Sequence, residues 1–434
     1  MKQLKLWSLL LLAGSILTFS GCGDDEGAAA LEIVSIAATG TDLDTGNEIT
    51  VDLNAATAAS NVPPNAVVTI SFSREVDPDK VTASSITIGD GSTDLTTAIT
   101  TSGSAVVITP NDEFERGTDY TLTVTAGVTA LDGGTLISTS RTFKTAGRKD
   151  AVPPQATSQL AYWKFDGDAT DNASSFDANA EVDIDYQTDR FGAIESAAYF
   201  NGNTSIIEVP NASSLMTDAA SFTISFWVKT QTEGHVNENG DPTGMFVFGL
   251  GAFFGIQYEI FSGYDGSKFA ISYITADETG VSEDMWFPNG ATDNTNGGWQ
   301  GWDFAQNLSP EQMQAIIKDT WYHAIYTYDA VDKKGALYFN GTLMKSFDFD
   351  LWPDGDLKQT VTGVTYRGVE PDVVDDLAFG FVQSRAGTMW DTEPWGGYDI
   401  TTSQHFKGWL DDFRIFDAAF DAADATALYN AEKP

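Results

Sequence analysis

The chain has 434 residues, 62 acidic against 23 basic side chains, and a formal net charge of −39 at pH 7. A field of that sign repels nucleic acid and polyanionic sugars, and admits divalent cations and neutral or basic partners. Aromatic residues make up 12% of the chain, which excludes a disordered polymer, and the length suits two or three packed domains.

Residues 1–21 combine Lys2 and Lys5 with the apolar run from Leu9 to Leu17 and the small residues Ser20 and Gly21. This is the pattern of a secretory signal peptide, too short to span a membrane as a helix. Phe19-Ser20-Gly21-Cys22 resembles the lipobox of bacterial lipoproteins, in which the cysteine becomes the lipid-modified first residue of the mature chain. Removing residues 1–21 takes the two positive charges of Lys2 and Lys5 from −39, leaving −41. Cys22 is the one cysteine, so with lipid on its sulfur no disulfide forms and packed core area must hold the protein together. Gly23-Asp24-Asp25-Glu26 is similar to the export signal that carries Bacteroidota lipoproteins to the outer face of the outer membrane. The resemblance implies a lipid anchor in the outer membrane and a chain facing the cell exterior. Residues 22–30 then read as an acidic, flexible tether ending in Ala28-Ala29-Ala30.

Residues 31–146 are rich in Thr, Val, Ile and Ser. Val67 to Ser73 and Tyr120 to Thr125 alternate apolar with polar residues, as strands do when one face is buried. The segment has no tryptophan and no cysteine pair, which excludes an antibody-type domain. Asn61-Val62-Pro63-Pro64, Phe72-Ser73-Arg74-Glu75-Val76-Asp77, Val106-Val107-Ile108-Thr109-Pro110, Gly117-Thr118-Asp119-Tyr120 and Leu131-Asp132-Gly133-Gly134 follow in order. Together they resemble the bacterial Ig-like domain of surface-layer proteins, which implies a β-sandwich serving as a spacer. Residues 147–157, with Pro153-Pro154 in a polar stretch, read as a semi-rigid linker.

Residues 158–434 hold every tryptophan except Trp7. Phe222, Ile224, Phe226 and Val228 share one face of a strand. Asn340-Gly341 suits the positive φ angles of a tight hairpin turn, Trp409 to Phe416 forms a last strand, and Asp421 to Asn430 a short helix. Leu160 to Gly167, Arg190-Phe191-Gly192, Ala197 to Gly202, Ile207 to Pro210, Thr320 to Ala324 and Gly408 to Phe416 resemble the laminin-G/concanavalin A-like jelly roll. The whole chain is therefore expected to be all-β, an Ig-like β-sandwich followed by a LamG-type sandwich. The resemblance weakens over residues 230–318 and 346–405, which exceed a minimal member.

Asp411 alternates with Trp409, Phe413 and Ile415 and is expected to face the apolar side, where a carboxylate needs a partner. One solution is a structural Ca²⁺ shared with Asp166, which closes the first strand; the other is an arginine such as Arg414. The run Asp171-Asn172-Ala173-Ser174-Ser175 departs from the Asp-Ser-Ser-Gly form usual in the family, and Asn179-Ala180 stands where His-Gly is frequent. Both departures weaken the calcium reading.

Trp286, Trp299, Trp302, Trp390, Trp395 and Tyr398 stand among Gly, Pro and Asn and are expected in loops. Flat rings beside Asp, Asn and Gln side chains are the equipment for sugar recognition. The alternative is that the rings pin long insertions onto the sandwich. A lectin-like glycan-binding protein is the first expectation, a protein-binding adhesion module the second. Concanavalin-like folds also include glycoside hydrolases and lyases, which use paired carboxylates on one strand. The nearest string, Glu370-Pro371-Asp372-Val373-Val374-Asp375, carries a proline unsuited to a central strand and reads as a loop. His235, His323 and His405 have no Gly-x-Ser-x-Gly elbow beside them, so catalysis is not expected.

Overall fold

The computed structural model describes residues 28–288 and 302–434, apart from positions 44, 56, 194, 217 and 218. Cys22, the signal peptide, most of the tether and Trp299 lie outside the described residues. Among the described residues no helix is long and apolar enough to cross a membrane. The fold is all-β and divides into two compact units, with the boundary between Ala146 and Gly147.

In the first unit the described residues form a five-stranded sheet and a four-stranded sheet. The alternating runs are the strands Val67–Phe72 and Asp119–Val124, and their apolar halves, Val68, Ile70 and Phe72 with Tyr120, Leu122 and Val124, are buried. Phe114, Tyr120 and Phe143 meet with ring centroids 5.0–5.8 Å apart, and each buried side chain of this size stabilises by about 1.5–3 kcal/mol. The Ala59–Val62 strand pairs in parallel with Thr139–Thr145; the other pairings of the unit's strands are antiparallel.

The second unit is a sandwich of two antiparallel sheets. In the first sheet the strands run Asp185–Gln187, Ala197–Asn201, Lys407–Phe416, Phe222–Thr230, Trp321–Asp329, Lys334–Phe339, Thr342–Asp348 and Trp302–Ala305. Gln159–Trp163 also pairs with Lys407–Phe416. The second sheet runs Ala180–Val182, Ile206–Val209, Leu377–Phe379, Met245–Leu250, Ile256–Ile260, Ser267–Thr275 and Gly280–Phe287. Phe222, Ile224, Phe226 and Val228 do point together into the core, where Phe226 meets Phe248, Tyr258 and Phe413 at 5.2–5.4 Å. The hairpin at Asn340-Gly341 has φ +50° and +72°, the left-handed pair that asparagine and glycine tolerate. The last helix, Ala422–Glu432, is capped by Asp421, whose carboxylate accepts the Asp424 N–H.

Residues 230–318, where the jelly-roll resemblance weakens, supply four adjacent strands of the second sheet. Two expectations change. Trp286 and Trp302 sit on the strands Gly280–Phe287 and Trp302–Ala305 rather than in loops. The stretch 147–157 belongs to the second unit, where Arg148 is nearly buried and bonds to Asp412 at 3.0 Å. The segment from Tyr366 to His405 lies largely outside strands, and its aromatic side chains cover part of the outer face of the second sheet. Gly249 permits that contact, because a Cβ there would sit 1.9 Å from the Val382 carbonyl oxygen.

Candidate functional site

The outer face of the second sheet follows from strand alternation. Ile256, Tyr258 and Ile260 point to the core, which turns Gln257 and Glu259 outward; Phe269 and Ile271 likewise turn Lys268 outward. Register then pairs Phe246 with Glu259, Glu259 with Lys268, and Lys268 with Trp286, giving one transverse row across four strands. The Lys268 ammonium lies 3.4 Å from Glu259 Oε1, 3.7 Å from Asp284 and 4.9 Å from the Trp286 ring centroid. Burial pushes the Glu259 carboxyl up, and Lys268 opposes that shift.

The segment after Val382 supplies the facing wall. Its attachment is polar as well as apolar: Glu208 accepts the Arg385 N–H at 2.7 Å and its guanidinium at 2.6 Å. The Phe246 N–H donates to the Gln404 carbonyl at 2.8 Å. Trp390 and Trp395 stand 6.3 Å apart, with Trp395 5.8 Å from Phe246 and Trp390 6.1 Å from Phe253. These rings and the Gln257, Glu259, Lys268 and Gln404 side chains enclose a cavity of about 310 Å³. Donors, acceptors and aromatic faces thus converge on one concave site.

The six expected ligand residues separate. Trp390 and Trp395 line the cavity, while Trp286, 38% exposed, stands beside Lys268 on the next strand and is not part of the lining. Trp390 is only 6% exposed, so it also pins the loop as the alternative reading holds. Tyr398 lies elsewhere: its hydroxyl donates to the Thr204 carbonyl and its ring packs on Phe381. The backbone of Trp302 belongs to the other sheet, paired with Phe347. Gln257, Glu259, Lys268, Phe253 and Gln404 escape the sequence reading. Their one local signal is the alternation in Ile256-Gln257-Tyr258-Glu259-Ile260, which marks an outward polar face but not what stands opposite.

Asp411 faces away from the core, contrary to expectation. Across from Ser225–Trp227, strand Lys407–Phe416 carries one extra residue, with Asp412 at φ +47°. This bulge reverses the alternation: Leu410, Phe413 and Ile415 enter the core, while Asp411 turns under the last helix. There it is fully buried between Arg190, its closest partner, and Arg148 at 3.7 Å. Asp166 is near enough for its charge to act on Arg148 and Asp411. The surroundings do not fit a calcium ion. The Asp411 carboxylate is already matched by two guanidinium groups, and a third, Arg414, bonds Glu432 beside them at 2.9 Å. Asp171 is equally committed, accepting backbone N–H groups of Tyr162, Ala173, Ser174 and Phe176 at 2.8–3.1 Å. Among the described residues no group of three or more His, Cys, Asp or Glu side chains is placed to hold a metal.

Two catalytic readings also meet their geometry. Glu370 to Asp375 lies in turns, with Asp375 accepting the Ser213 hydroxyl at 2.9 Å. Ser225 Oγ and His323 Nε2 are 2.7 Å apart, and Glu432 approaches the same ring nitrogen at 3.8 Å. A nucleophile–base–acid relay needs the acid on the opposite nitrogen and a path to substrate. Here all three groups are buried, and burial holds His323 down to about 4.

No curated protein matches the sequence. Among solved structures the chain is similar to the botulinum neurotoxin type G receptor-binding domain, at 15% identity over 63% of this chain and 51% of that one, TM-score 0.35. It is similar to the binding domain of botulinum neurotoxin DC in complex with SialylT, at 14% identity over 63% and 51%, TM-score 0.38. A third is the binding domain of Paraclostridial Mosquitocidal Protein 1, at 12% identity over 63% and 52%, TM-score 0.40. The chain spans about half the length of these structures. Residues 34–145 match the family model of the bacterial Ig-like domain, so the chain joins an Ig-like domain to a second, two-sheet β-sandwich.

Proposed function

We propose that this is a glycan-binding protein of the cell surface, with the cavity beneath Trp390 and Trp395 as its binding site. The observation that carries the reading is the pairing of aromatic walls with an amide–carboxylate–ammonium floor, Gln257, Glu259 and Lys268. A pyranose ring stacks its apolar face on indole while its hydroxyls need both donors and acceptors, and this floor offers both. In the same reading Cys22 carries lipid in the outer membrane and the Ig-like domain is a spacer toward the cell exterior. The sequence order of lipobox, acidic tether, Ig-like domain and aromatic-rich sandwich supports that arrangement.

Two measurements test it. On a glycan array the full chain is expected to bind, and Trp395→Ala to weaken that binding about tenfold, since losing one stacked ring costs about 1–1.5 kcal/mol. Binding unchanged in Trp395→Ala rejects the site; capture of protein ligands without any glycan signal favours an adhesion module instead. For the anchor, Cys22→Ser is expected to move the protein from the membrane fraction to the soluble fraction of expressing cells. Retention in the membrane fraction rejects lipidation at Cys22.

A further inference from the structure

The other sheet carries a second row of similar make-up. Register pairs Tyr199 with Trp409, Trp409 with Lys229, and Lys229 with Trp321, across four adjacent strands. Their in-line neighbours Leu410, Val228 and Tyr322 are core residues, so the four side chains lie together on the outer face. The Lys229 ammonium stands 4.8 Å from the Trp409 ring centroid, and Tyr199 meets the same ring at 5.0 Å. Trp409 is held in place by its Nε1–H, which donates to Gln187 Oε1 at 3.0 Å.

The next row outward on the same strands, His323, Trp227 and Asp411, is closed by the last helix, with Trp227 Nε1–H donating to Glu432 Oε2 at 2.9 Å. Trp409 and Trp321 are half-buried walls of an open cavity of about 570 Å³. Its remaining polar lining includes Gln187, Thr188 and Glu195 with Lys229. Asp189, also at the cavity, is engaged by the backbone N–H groups of Phe191 and Ala193 at 2.8–2.9 Å.

We propose that this cavity is a second saccharide site, built for a neutral pyranose and separate from the one under Trp390. The Trp409 indole, fixed by Gln187 and Tyr199, gives stacking surface with little ordering cost, and Trp321 adds a second ring to the wall. The Lys229 ammonium, the Thr188 hydroxyl and the Glu195 carboxylate around them supply donors and acceptors, which suits hydroxyls, while the Gln187 amide is engaged by Trp409 and Asp185. A chain of net charge −39 disfavours a uronate, and the one lysine of the lining, which also holds Glu195, does not reverse that. With one site on each sheet, a single molecule can hold two glycan strands at once.

The test is calorimetric titration of the full chain with cellohexaose, xylohexaose, mannohexaose and laminarihexaose, and with hexagalacturonate as the charged comparison. At least one neutral hexaose is expected to bind, about tenfold more weakly in Trp409→Ala, while hexagalacturonate does not bind. Thr188→Trp fills the mouth of the cavity from an exposed position without touching the core, and is expected to give the same loss; this guards against misfolding of Trp409→Ala. Both losses are expected to persist in a Trp395→Ala background. Binding removed by Trp395→Ala alone and untouched by Trp409→Ala and Thr188→Trp supports the first cavity and overturns this one. No binding of any neutral hexaose, or tighter binding of hexagalacturonate, also overturns it.

Discussion

Arg190→Ala is expected to destabilise the second unit by about 3–5 kcal/mol, the range for removing one partner from a buried ion pair. Arg190 is fully buried and bridges Asp411 and Asp412, and its Nε–H donates to the Glu432 carbonyl at 2.9 Å. Its guanidinium also lies 4.3 Å from the Trp227 ring centroid. Asp412 keeps Arg148 and the Tyr162 hydroxyl, the latter at 2.6 Å, but Asp411 would keep only Arg148 at 3.7 Å. Its Oδ1 has no hydrogen bond even in the intact protein. A buried carboxylate left this way must take a proton or admit water, and either costs the folded state. The measurement is urea unfolding followed by tryptophan fluorescence, with the exposed Arg116→Ala as comparison, expected within about 0.5 kcal/mol of the parent. A loss below about 1 kcal/mol in Arg190→Ala would mean that the remaining arginines suffice.

Acidification is expected to cost about 4 kcal/mol between pH 6.5 and 4, from the groups whose shifts are large. Burial holds both His323 and His405 down to about 4 from an ordinary 6.5. In that window the unfolded chain takes up two protons that the folded one refuses, so stability is full above pH 6.5 and lost as pH falls. Asp411 works in the opposite direction: burial raises it to about 6 from 3.8, so between those values the folded state holds a proton that the unfolded state does not. The slope should therefore be steepest from pH 6.5 to 6 and about half as steep below. Glu432 adds a further loss below about 4.5, because Arg414 and its neighbours hold its carboxyl low despite burial. Unfolding midpoints at pH 7, 6, 5 and 4 check this, and His323→Gln with His405→Gln should flatten the curve. An unchanged slope in that double variant would place the acid sensitivity elsewhere.

Short-range features were readable because they depend on neighbours in sequence. The alternation of Phe222 to Val228, the Asn340-Gly341 turn and the Asp421 cap each rest on a few consecutive residues, and the structure has each one. A further signal of this kind went unread: Ser309-Pro310-Glu311-Gln312 is a capping box, and it opens the helix Pro310–Ile317. Asp411 was misplaced for the opposite reason. A single extra residue in a strand is invisible without its partner strand, and it inverts every later side chain. The arginines that satisfy it are likewise remote, since Arg190 lies 221 positions away.

The same division holds for the candidate sites. By itself the sequence determined an all-β chain with an Ig-like first unit, an apolar–polar alternation that sets Lys229 off the face shared by Phe222, Ile224, Phe226 and Val228, and an excess of tryptophan confined to the second unit past the signal. These follow from composition and from the two-residue period of a strand. Only the tertiary structure decided which rings share a cavity. Trp390 and Trp395 share a cavity with Lys268 because the segment after Val382 folds back over the sheet, and Trp409 and Trp321 share one because they flank the strand that carries Lys229. Cross-strand register and loop return set those neighbours, and both are settled by the packing of distant segments rather than by the residues beside each tryptophan.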